Sequence, residues 1–259
     1  MGVERPAAAR IAKRRGAIHR RASLAAAAGA DLVVLATPVL TITRLLGRLA
    51  AGLGPKTVVT DVGSTKLAIL RAARAGLPPG RFIGGHPLAG CERSGILAAS
   101  PELFRGAPWA LVAPPGSHAA LLRVAALVRA VGAQPKLCSA QRHDRAVALV
   151  SHLPQLAASG LMALALAGRA LDFAGPGLHD TTRLAASRFP VWGDILATNH
   201  REVTRAADAL SLELRRMARS RSYARRVFDA ARRGRERLLQ RRRAPAPAPG
   251  AARRRSRRP

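Results

Sequence analysis

Short aliphatic runs alternate with longer amphipathic stretches through the first 139 residues. Each run is followed by apolar residues at helical spacing that end at Gly or Pro. We predict strands at residues 32–36, 57–60, 81–83, 109–112 and 135–138, and helices at residues 41–53, 65–75, 94–104 and 118–131. Strands that alternate with helices are typical of a parallel sheet covered by helices. The pattern therefore predicts an α/β domain with a doubly wound parallel sheet over residues 1–139.

The pattern changes at residue 140, after which no strand-like run occurs. Residues 141–239 carry helical periodicity with a Gly/Pro interruption at 175–177, which predicts an all-α domain over residues 140–239. Residues 240–259 alternate Arg clusters with Ala-Pro and lack apolar periodicity. Such a segment cannot bury enough surface to offset its ordering entropy, so we predict a disordered tail.

Composition adds a strong positive charge to this picture. The 259 residues are 48% hydrophobic and 3% aromatic, which excludes a disordered chain and predicts a core of Ala, Leu and Val. The net charge is +30, with 40 Arg and 4 Lys, and half of it lies in residues 201–259. Basic chains can bind nucleic acid, yet no helix-turn-helix, zinc finger or aromatic stacking platform accompanies the charge. A nucleic-acid-binding protein is therefore the alternative of a different class, and no specific nucleic acid is expected as a partner.

Cysteines and apolar segments bear on the compartment. Cys91 and Cys138 form no CxxC pair, so we expect neither a disulfide framework nor a metal site. The charged N-terminus has no apolar stretch directly behind it, which argues against a signal peptide. Residues 146–168 carry no formal charge but include Ser151 and His152, which would lack partners in lipid. We therefore predict a buried helix here and a cytoplasmic protein with no membrane partner.

Polar clusters follow three predicted strands. Thr37-Pro38 follows the first, DVGSTK at 61–66 the second, and GGHP at 84–87 the third. Ligands of doubly wound sheets bind beyond the carboxyl ends of the strands. His86, next to two glycines, can approach a ligand closely, although for this residue alone a simple turn role is equally open. Further clusters in the helical part, each typical of caps or core histidines when taken alone, are 143–144, 151–155 and 175–183.

The order of the motifs along the chain is more informative than any one motif alone. They read DVGSTK, GGHPLAGCERSG, HDRAVALVSHLPQ, GPGLHDTTRLAAS and VWGDI. This series resembles the prephenate and arogenate dehydrogenase family of tyrosine biosynthesis, over nearly everything from residue 3 to 239. The resemblance implies a Rossmann-type domain followed by a helical dimerisation domain, and a homodimer formed through the latter. Other Rossmann-type dehydrogenases share this architecture but are not expected to carry these motifs.

The activity implied by the resemblance is oxidative decarboxylation of prephenate to 4-hydroxyphenylpyruvate, with hydride transfer to NAD or NADP. The alternatives are an arogenate dehydrogenase and a catalytically impaired homologue. Two residues would be catalytic: His86 as the neutral base for the ring hydroxyl, and Ser64, hydrogen-bonded near that histidine and the nicotinamide. Arg183 would bind a substrate carboxylate, and His152 and Trp192 would line the same site. The residues expected on the cofactor side are Glu4, Thr37, Pro38, Asp61 and Ser64.

Two departures from the family pattern qualify these expectations. Relatives commonly read SHLPH where this chain has SHLPQ, so the neutral Gln155 on the substrate side leaves prephenate against arogenate open. The chain also contains no GxGxxG turn for a pyrophosphate, and opens at residues 2–6 like the end of the family's second strand.

We therefore expect that about 30 residues, one strand and one helix, are missing from the front, through a wrongly assigned start rather than a remnant gene. The sheet would then lack its central nucleotide-binding strand, and the chain as it stands would bind NAD poorly. Glu4 would bind the adenosine ribose and favours NAD, while the neighbouring Arg5 leaves NADP possible.

Overall fold

The computed structural model describes residues 1–90 and 95–243, and the side chains of all of these except 241–243. Cys91 and the predicted tail beyond Arg243 lie outside the described residues, so the predictions made for them stay predictions. Contacts divide the chain into two units, Met1–Ala206 and Ala207–Pro259, and each is described by itself.

A five-stranded sheet forms the centre of the first unit. Its strands are β1 (Leu32–Leu35), β2 (Val58–Asp61), β3 (Phe82–Pro87), β4 (Pro108–Val112) and β5 (Gln134–Leu137), in the order β1-β2-β3-β4-β5. β1, β2 and β3 are mutually parallel, with Leu35 opposite Asp61 and Thr60 opposite Ile83. The predicted α/β class, with a parallel-dominated sheet, is confirmed.

The wholly parallel sheet was wrong in one respect, because β4 runs antiparallel to β3, with His86 opposite Ala110. The predicted helix at 94–104 is also wrong: the described part of that connection holds two short 3₁₀ turns, Ile96–Ala98 and Pro101–Phe104. A parallel return needs a crossover long enough to span the sheet, usually a helix, whereas short turns bring the chain back antiparallel.

Helices cover both faces of the sheet. They are α1 (Pro6–Arg14), α2 (Leu24–Ala28), α3 (Val39–Ala50), α4 (Leu67–Gly76) and α5 (His118–Ala130). Neighbouring strand residues belong to different cores: Val59 packs with the core of α3 and α4, whereas Val58 packs with that of α5. Since adjacent strand side chains point to opposite faces, the sheet is covered on both sides, as the near-continuous apolar strands require.

The helical part follows β5 within three residues. Its elements are α6 (Ala140–Val147), a π-helical turn (Ala148–His152), α7 (Leu153–Ala167), α8 (Pro176–Thr182), α9 (Phe189–Arg219) and α10 (Arg221–Arg243). α9 is kinked at Asn199, whose φ of −132° is not helical. α10 includes residues 240–243, so the first four residues of the predicted tail are helical instead.

The second unit holds the end of α9 and α10. Within it, the Tyr223 hydroxyl donates to both carboxylate oxygens of Glu213, at 2.9 and 3.0 Å. The guanidinium of Arg216 lies 4.4 Å from the centre of the Tyr223 ring. These contacts link the two helices across the break at Ser220.

The prediction of a buried helix at 146–168 is wrong for the single chain. Residues Ala140–Ala167 form a helical span that is long and apolar enough to cross a membrane by length and composition, and only 28% of its most apolar window is buried. Leu161, Leu164 and Leu166 are exposed, because α7 packs along one side only. The single chain therefore leaves an apolar helix face uncovered.

Candidate active site

A buried ion pair supports the strand that carries His86. Lys66, just before α4, is fully buried, and its Nζ donates to the carboxylate of Asp61 at the end of β2 and to the Gly85 carbonyl, the latter at 2.6 Å. Asp61 also accepts from the backbone of Gly63 at 2.8 Å and of Gly85 at 3.0 Å. Burial raises the pKa of Asp61 and lowers the pKa of Lys66, and their mutual attraction opposes both shifts. The pair therefore fixes the residue next to His86 from both sides.

Gly85 is required by this close packing. A Cβ atom at residue 85 would lie 2.3 Å from the Asp61 carbonyl oxygen and 3.0 Å from the Trp109 ring nitrogen. No side chain fits those distances, so only glycine allows β2, β3 and β4 to approach here. The GGHP sequence, which we expected to follow the strand predicted at residues 81–83, is instead part of β3, and His86 projects from the strand itself.

His86 is the first member of a cluster that we call the histidine cluster, made of His86, His143, Asp144, His152 and Asn199. The Nδ1 atom of His86 lies 2.9 Å from Nε2 of His143, and Nδ1 of His143 lies 2.7 Å from Oδ1 of Asp144. Burial lowers the pKa of His86 well below its usual value of 6.5, and interactions with His143, Lys66 and His152 lower it further. His86 is therefore neutral near pH 7, as a proton acceptor must be.

Asp144, from α6, joins the cluster to the start of α4. Its carboxylate accepts the backbone N–H groups of Lys66 at 2.7 Å and Leu67 at 2.9 Å, which are unpaired within the first turn of the helix. The Asn199 amide donates to the Asp144 backbone carbonyl at 2.9 Å and approaches Nδ1 of His152 at 3.3 Å. The kink in α9 thus places Asn199 between two histidine-bearing segments.

His152 and Trp192 lie side by side, as the motifs suggested. His152 is 1% exposed, and its ring meets that of Trp192 edge-on at a centroid distance of 6.2 Å. Burial lowers the pKa of His152 from 6.5 to about 4, a shift that Asp144 opposes and His143 reinforces. His152 is consequently a neutral, largely dehydrated ring near pH 7.

Gln155 and Arg183 form a second group. Gln155 lies in α7, about one helical turn after His152, and Arg183 follows α8. The Gln155 amide nitrogen donates to the Leu184 carbonyl at 2.8 Å and to the Ser159 hydroxyl at 3.2 Å, which holds the side chain next to the backbone of Arg183. Arg183 begins a 3₁₀ turn directly after α8, and its side chain is exposed. The structure therefore brings Gln155 next to the 3₁₀ turn that begins with Arg183.

Two cavities meet beside the carboxyl end of β1. The larger, which we call the β1 groove, has a volume of about 740 Å³ and is bordered by Glu4, β1 and Thr37. The smaller, of about 250 Å³, is bordered by Thr37, Pro38 and Ser64. Because Ala36 and Thr37 border both, four of the five expected cofactor residues lie along one continuous depression.

Asp61 is the exception among the expected cofactor residues. Its side chain is fully buried in the pair with Lys66 and borders neither cavity. Its carboxylate accepts hydrogen bonds from the backbone N–H groups of Gly63 and Gly85, so Asp61 supports the backbone at these two residues.

The edge of the sheet at the β1 groove is open. Within the described ranges β1 pairs with β2 on one side alone, and residues near the start of the chain pair elsewhere, where Gly2 meets Arg21 in an isolated parallel bridge. Glu4 is exposed, and its backbone carbonyl accepts from Arg21 at 3.0 Å.

The residues present fit the two ends of a dinucleotide, with a carboxylate at Glu4 for a ribose and the hydroxyls of Thr37 and Ser64 at the other end. The sequence contains no glycine-rich turn to cradle the pyrophosphate between them. Residues 1–90 and 95–243 also contain no group of three His, Cys, Asp or Glu side chains that could hold a metal ion.

Sequence reasoning missed several members of the site. His143 and Asp144 were noticed as a pair but are more typical, taken alone, of a helix cap and a core histidine. Lys66 stood inside the DVGSTK motif without a role, and Asn199 carried no signal. The usable signal was that Asp61 and Lys66 stand in the same short junction between strand and helix, because a buried lysine requires a carboxylate partner.

Comparisons with known proteins give the chain its relatives. A family model for the prephenate dehydrogenase nucleotide-binding domain matches residues 2–136, and one for the prephenate dehydrogenase dimerization domain matches residues 139–225. A cyclohexadienyl dehydrogenase from Zymomonas mobilis is 30% identical over 201 residues, which cover 73% of this chain and 67% of that protein.

Another relative is a prephenate dehydrogenase from Bacillus subtilis, 34% identical over 66% of this chain and 48% of its own length, so the chain spans about half of that relative. Among solved structures, a prephenate dehydrogenase from A. aeolicus in complex with hydroxyphenyl propionate and NAD+ superposes with a TM-score of 0.78. The two chains are 26% identical, and the match covers 91% of this chain and 86% of the A. aeolicus chain.

Proposed function

The chain belongs to the prephenate dehydrogenase family, and we propose that it catalyses the oxidative decarboxylation of prephenate to 4-hydroxyphenylpyruvate with NAD, a step of tyrosine biosynthesis. The observation that carries the proposal is His86: a neutral imidazole on β3, hydrogen-bonded through Nδ1 to His143. A base of this kind is what the ring hydroxyl of a cyclohexadienol needs. The family membership supplies the substrate class.

His86 would act on a single proton. It accepts the hydroxyl proton as the ring carbon that bears this hydroxyl becomes a carbonyl, and loss of carbon dioxide then leaves a phenolate that takes the proton back. When bound, the nicotinamide supplies the hydride acceptor for that carbon. The net conversion is prephenate and NAD⁺ to 4-hydroxyphenylpyruvate, carbon dioxide and NADH. Ser64, which borders the smaller cavity just after β2, would orient the hydroxyl.

Binding of the substrate would use the second group of residues. Arg183 offers a planar, permanently charged guanidinium suited to a carboxylate, and prephenate carries two carboxylates. His152 and Trp192 would form an uncharged wall for the ring, since the lowered pKa of His152 keeps it neutral. Placing the ring against a dry wall and the carboxylate on Arg183 would fix the hydroxyl relative to His86.

For the cofactor, we propose NAD held by Glu4, Thr37, Pro38 and Ser64, with Asp61 acting through the backbone that it supports. A carboxylate at Glu4 accepts hydrogen bonds from ribose hydroxyls and repels a 2′-phosphate, which favours NAD over NADP. Arg5 lies beside it, but the contact between them is from the Arg5 backbone N–H to Glu4 Oε1, at 2.8 Å.

Arogenate is a second candidate substrate, and Gln155 favours it. Both amide hydrogens of Gln155 are used by Leu184 and Ser159, while no hydrogen bond reaches its Oε1 in the described part of the chain. The remaining polar atom is thus an acceptor, which suits the ammonium group of arogenate better than the keto oxygen of prephenate. The ratio of kcat/KM for the two substrates, measured with the wild type and with Gln155→His, decides between them.

We propose a cytoplasmic homodimer, with the domain boundary at residues 139–140 and the helical domain as its interface. The uncovered apolar face of α7, with Leu161, Leu164 and Leu166, supports this assembly, because a face of that kind is stable in water only when covered. Sedimentation equilibrium of the whole chain tests it: a dimer is expected, and a monomer with α7 exposed would contradict it.

Activity is tested by incubating the full chain with prephenate and an NAD series extending into the millimolar range. NADH, carbon dioxide and 4-hydroxyphenylpyruvate should appear in equal amounts. Arg183→Lys keeps the charge but loses the bidentate geometry, so it should raise KM for the substrate more than it lowers kcat. A folded chain that forms no NADH with prephenate or arogenate, while calorimetry shows that it binds NAD, would overturn the proposed function.

A further inference from the structure

The Asp144 carboxylate acts only as a hydrogen-bond acceptor. Its carboxylate faces three donor positions: the backbone N–H groups of Lys66 and Leu67, and Nδ1 of His143. An ionised carboxylate has no hydrogen to give and can only accept. Two of the three partners are backbone amides, which can only donate, so the Asp144 carboxylate oxygens act as acceptors here.

This arrangement fixes the protons on the next two rings. With Asp144 accepting, His143 carries its hydrogen on Nδ1. When Nδ1 is the only ring nitrogen of His143 that carries a hydrogen, its Nε2 is bare and accepts. The atom 2.9 Å away is Nδ1 of His86, which must therefore be the donor. A neutral His86 with its hydrogen on Nδ1 has an unprotonated Nε2, and no described residue hydrogen-bonds to that atom.

We propose that His143 and Asp144 are positioning residues that hold His86 in the tautomer with hydrogen on Nδ1, so that Nε2 is the atom that accepts the substrate proton. The chain Asp144–His143–His86 runs from α6 to β3 and orients the ring as well as its protons. Its catalytic consequence rests on the proposed function, whereas the tautomer is a property of the protein alone.

A purely structural role makes a different prediction. If Asp144 only caps α4 and His143 only fills space, the ring of His86 has no reason to prefer one tautomer, and an apolar residue of similar size would replace His143 without a specific loss. Once His86 has taken up a proton, the bare Nε2 of His143 also accepts the hydrogen bond of the imidazolium. This stabilises the charged form at the step where it is formed.

The first test uses no activity. The full wild-type chain is labelled with ¹⁵N-histidine, and the His86 ring signals are identified by their loss in His86→Asn. We expect a protonated nitrogen at Nδ1 and an unprotonated one at Nε2 near neutral pH. A protonated Nε2, or an equal mixture of tautomers, would overturn the proposal whether or not the chain oxidises prephenate.

The second test compares two replacements of His143. His143→Gln retains an oxygen near the position of Nε2 that can accept from His86, whereas His143→Leu has no acceptor. We expect His143→Leu to lower kcat by about 100-fold with KM changed less than about threefold, and His143→Gln to recover at least about tenfold of that loss. The His86 tautomers should mix in the leucine variant and stay largely fixed in the glutamine variant.

Outcomes separate the two claims. Equal kcat for the glutamine and leucine variants, with both folded by circular dichroism, contradicts the positioning role. A correct tautomer in a chain without dehydrogenase activity supports the positioning geometry and counts against the proposed function alone.

Discussion

The histidine cluster and the β1 groove lie on the same sheet but differ in how their polar groups are satisfied. In the cluster and the adjoining Asp61–Lys66 pair, the carboxylates of Asp61 and Asp144 and the ammonium of Lys66 are buried, and each has several protein partners. Along the groove, Glu4 is exposed and β1 has an unpaired side within the described residues. The polar groups of the cluster are therefore held in place by the protein itself. Those along the β1 groove would take their hydrogen-bond partners from a bound ligand.

The difference shows which of the two regions contributes more to the stability of the fold. Buried charges are tolerated only when paired and hydrogen-bonded, so every member of the cluster depends on the others. The charged groove residue Glu4 is instead exposed to solvent. Substitutions should therefore damage folding in the cluster and leave folding intact in the groove, and four variants or conditions probe this contrast.

The largest effect is expected at Lys66. Lys66→Met leaves Asp61 buried without its counter-charge and removes the donor to the Gly85 carbonyl, which should lower the free energy of unfolding by about 3–5 kcal/mol. Urea denaturation measures it. The matched control is Lys56→Met at an exposed lysine, where we expect a change within about 0.5 kcal/mol. Equal stability of the two variants would remove the distinction between the regions.

A second large effect is expected at Gly85. Gly85→Ala places a methyl group against the Asp61 carbonyl oxygen and should lower the free energy of unfolding by about 1–3 kcal/mol, or prevent folding, because the backbone of β2 cannot move away. At Gly90 nothing lies within 4 Å of an added Cβ. Gly90→Ala is therefore the control. If the Gly85→Ala variant were as stable as the Gly90→Ala variant, the strands would be able to move apart freely.

The pH dependence of stability should follow the cluster. The pKa of His152 is about 4 in the folded chain and near 6.5 when unfolded, so between these values the unfolded chain binds more protons. The free energy of unfolding should consequently fall as the pH is lowered from about 6.5 to about 4, and be unaffected by this residue above 6.5. His152→Gln should flatten the curve in that window. An unchanged slope would mean that His152 is not held neutral by burial.

The smallest effect on stability is expected in the groove. Glu4→Gln removes an exposed carboxylate and should change the free energy of unfolding by less than about 0.5 kcal/mol. It should nevertheless weaken the preference for NAD over NADP severalfold, as seen in the ratio of kcat/KM for the two cofactors. A destabilised variant with unchanged cofactor preference would reverse the roles assigned to Glu4.

The sequence predicted much of the sheet, because strand-forming runs and helical periodicity are local properties. It also pointed to His86, His152 and Trp192, since each of them stands in one of the five ordered motifs. The antiparallel direction of β4 was not accessible, because it depends on how the connection after β3 packs and not on the composition of the strand. The contact of Asp144 with the start of α4 and the bridging role of Asn199 were equally hidden, since they join residues 78 and 55 positions apart in the chain.

The central claim is that His86 is the base of a dehydrogenase acting on a cyclohexadienol, and the kcat of His86→Asn measures it most directly. The assay is prephenate-dependent NADH formation by the full chain, with the exposed His118→Asn as the control. We predict that His86→Asn lowers kcat by about 10²–10⁴-fold while leaving the fold intact by circular dichroism, and that His118→Asn equals the wild type. A folded His86→Asn chain with kcat within a factor of about three of the wild type would contradict the account.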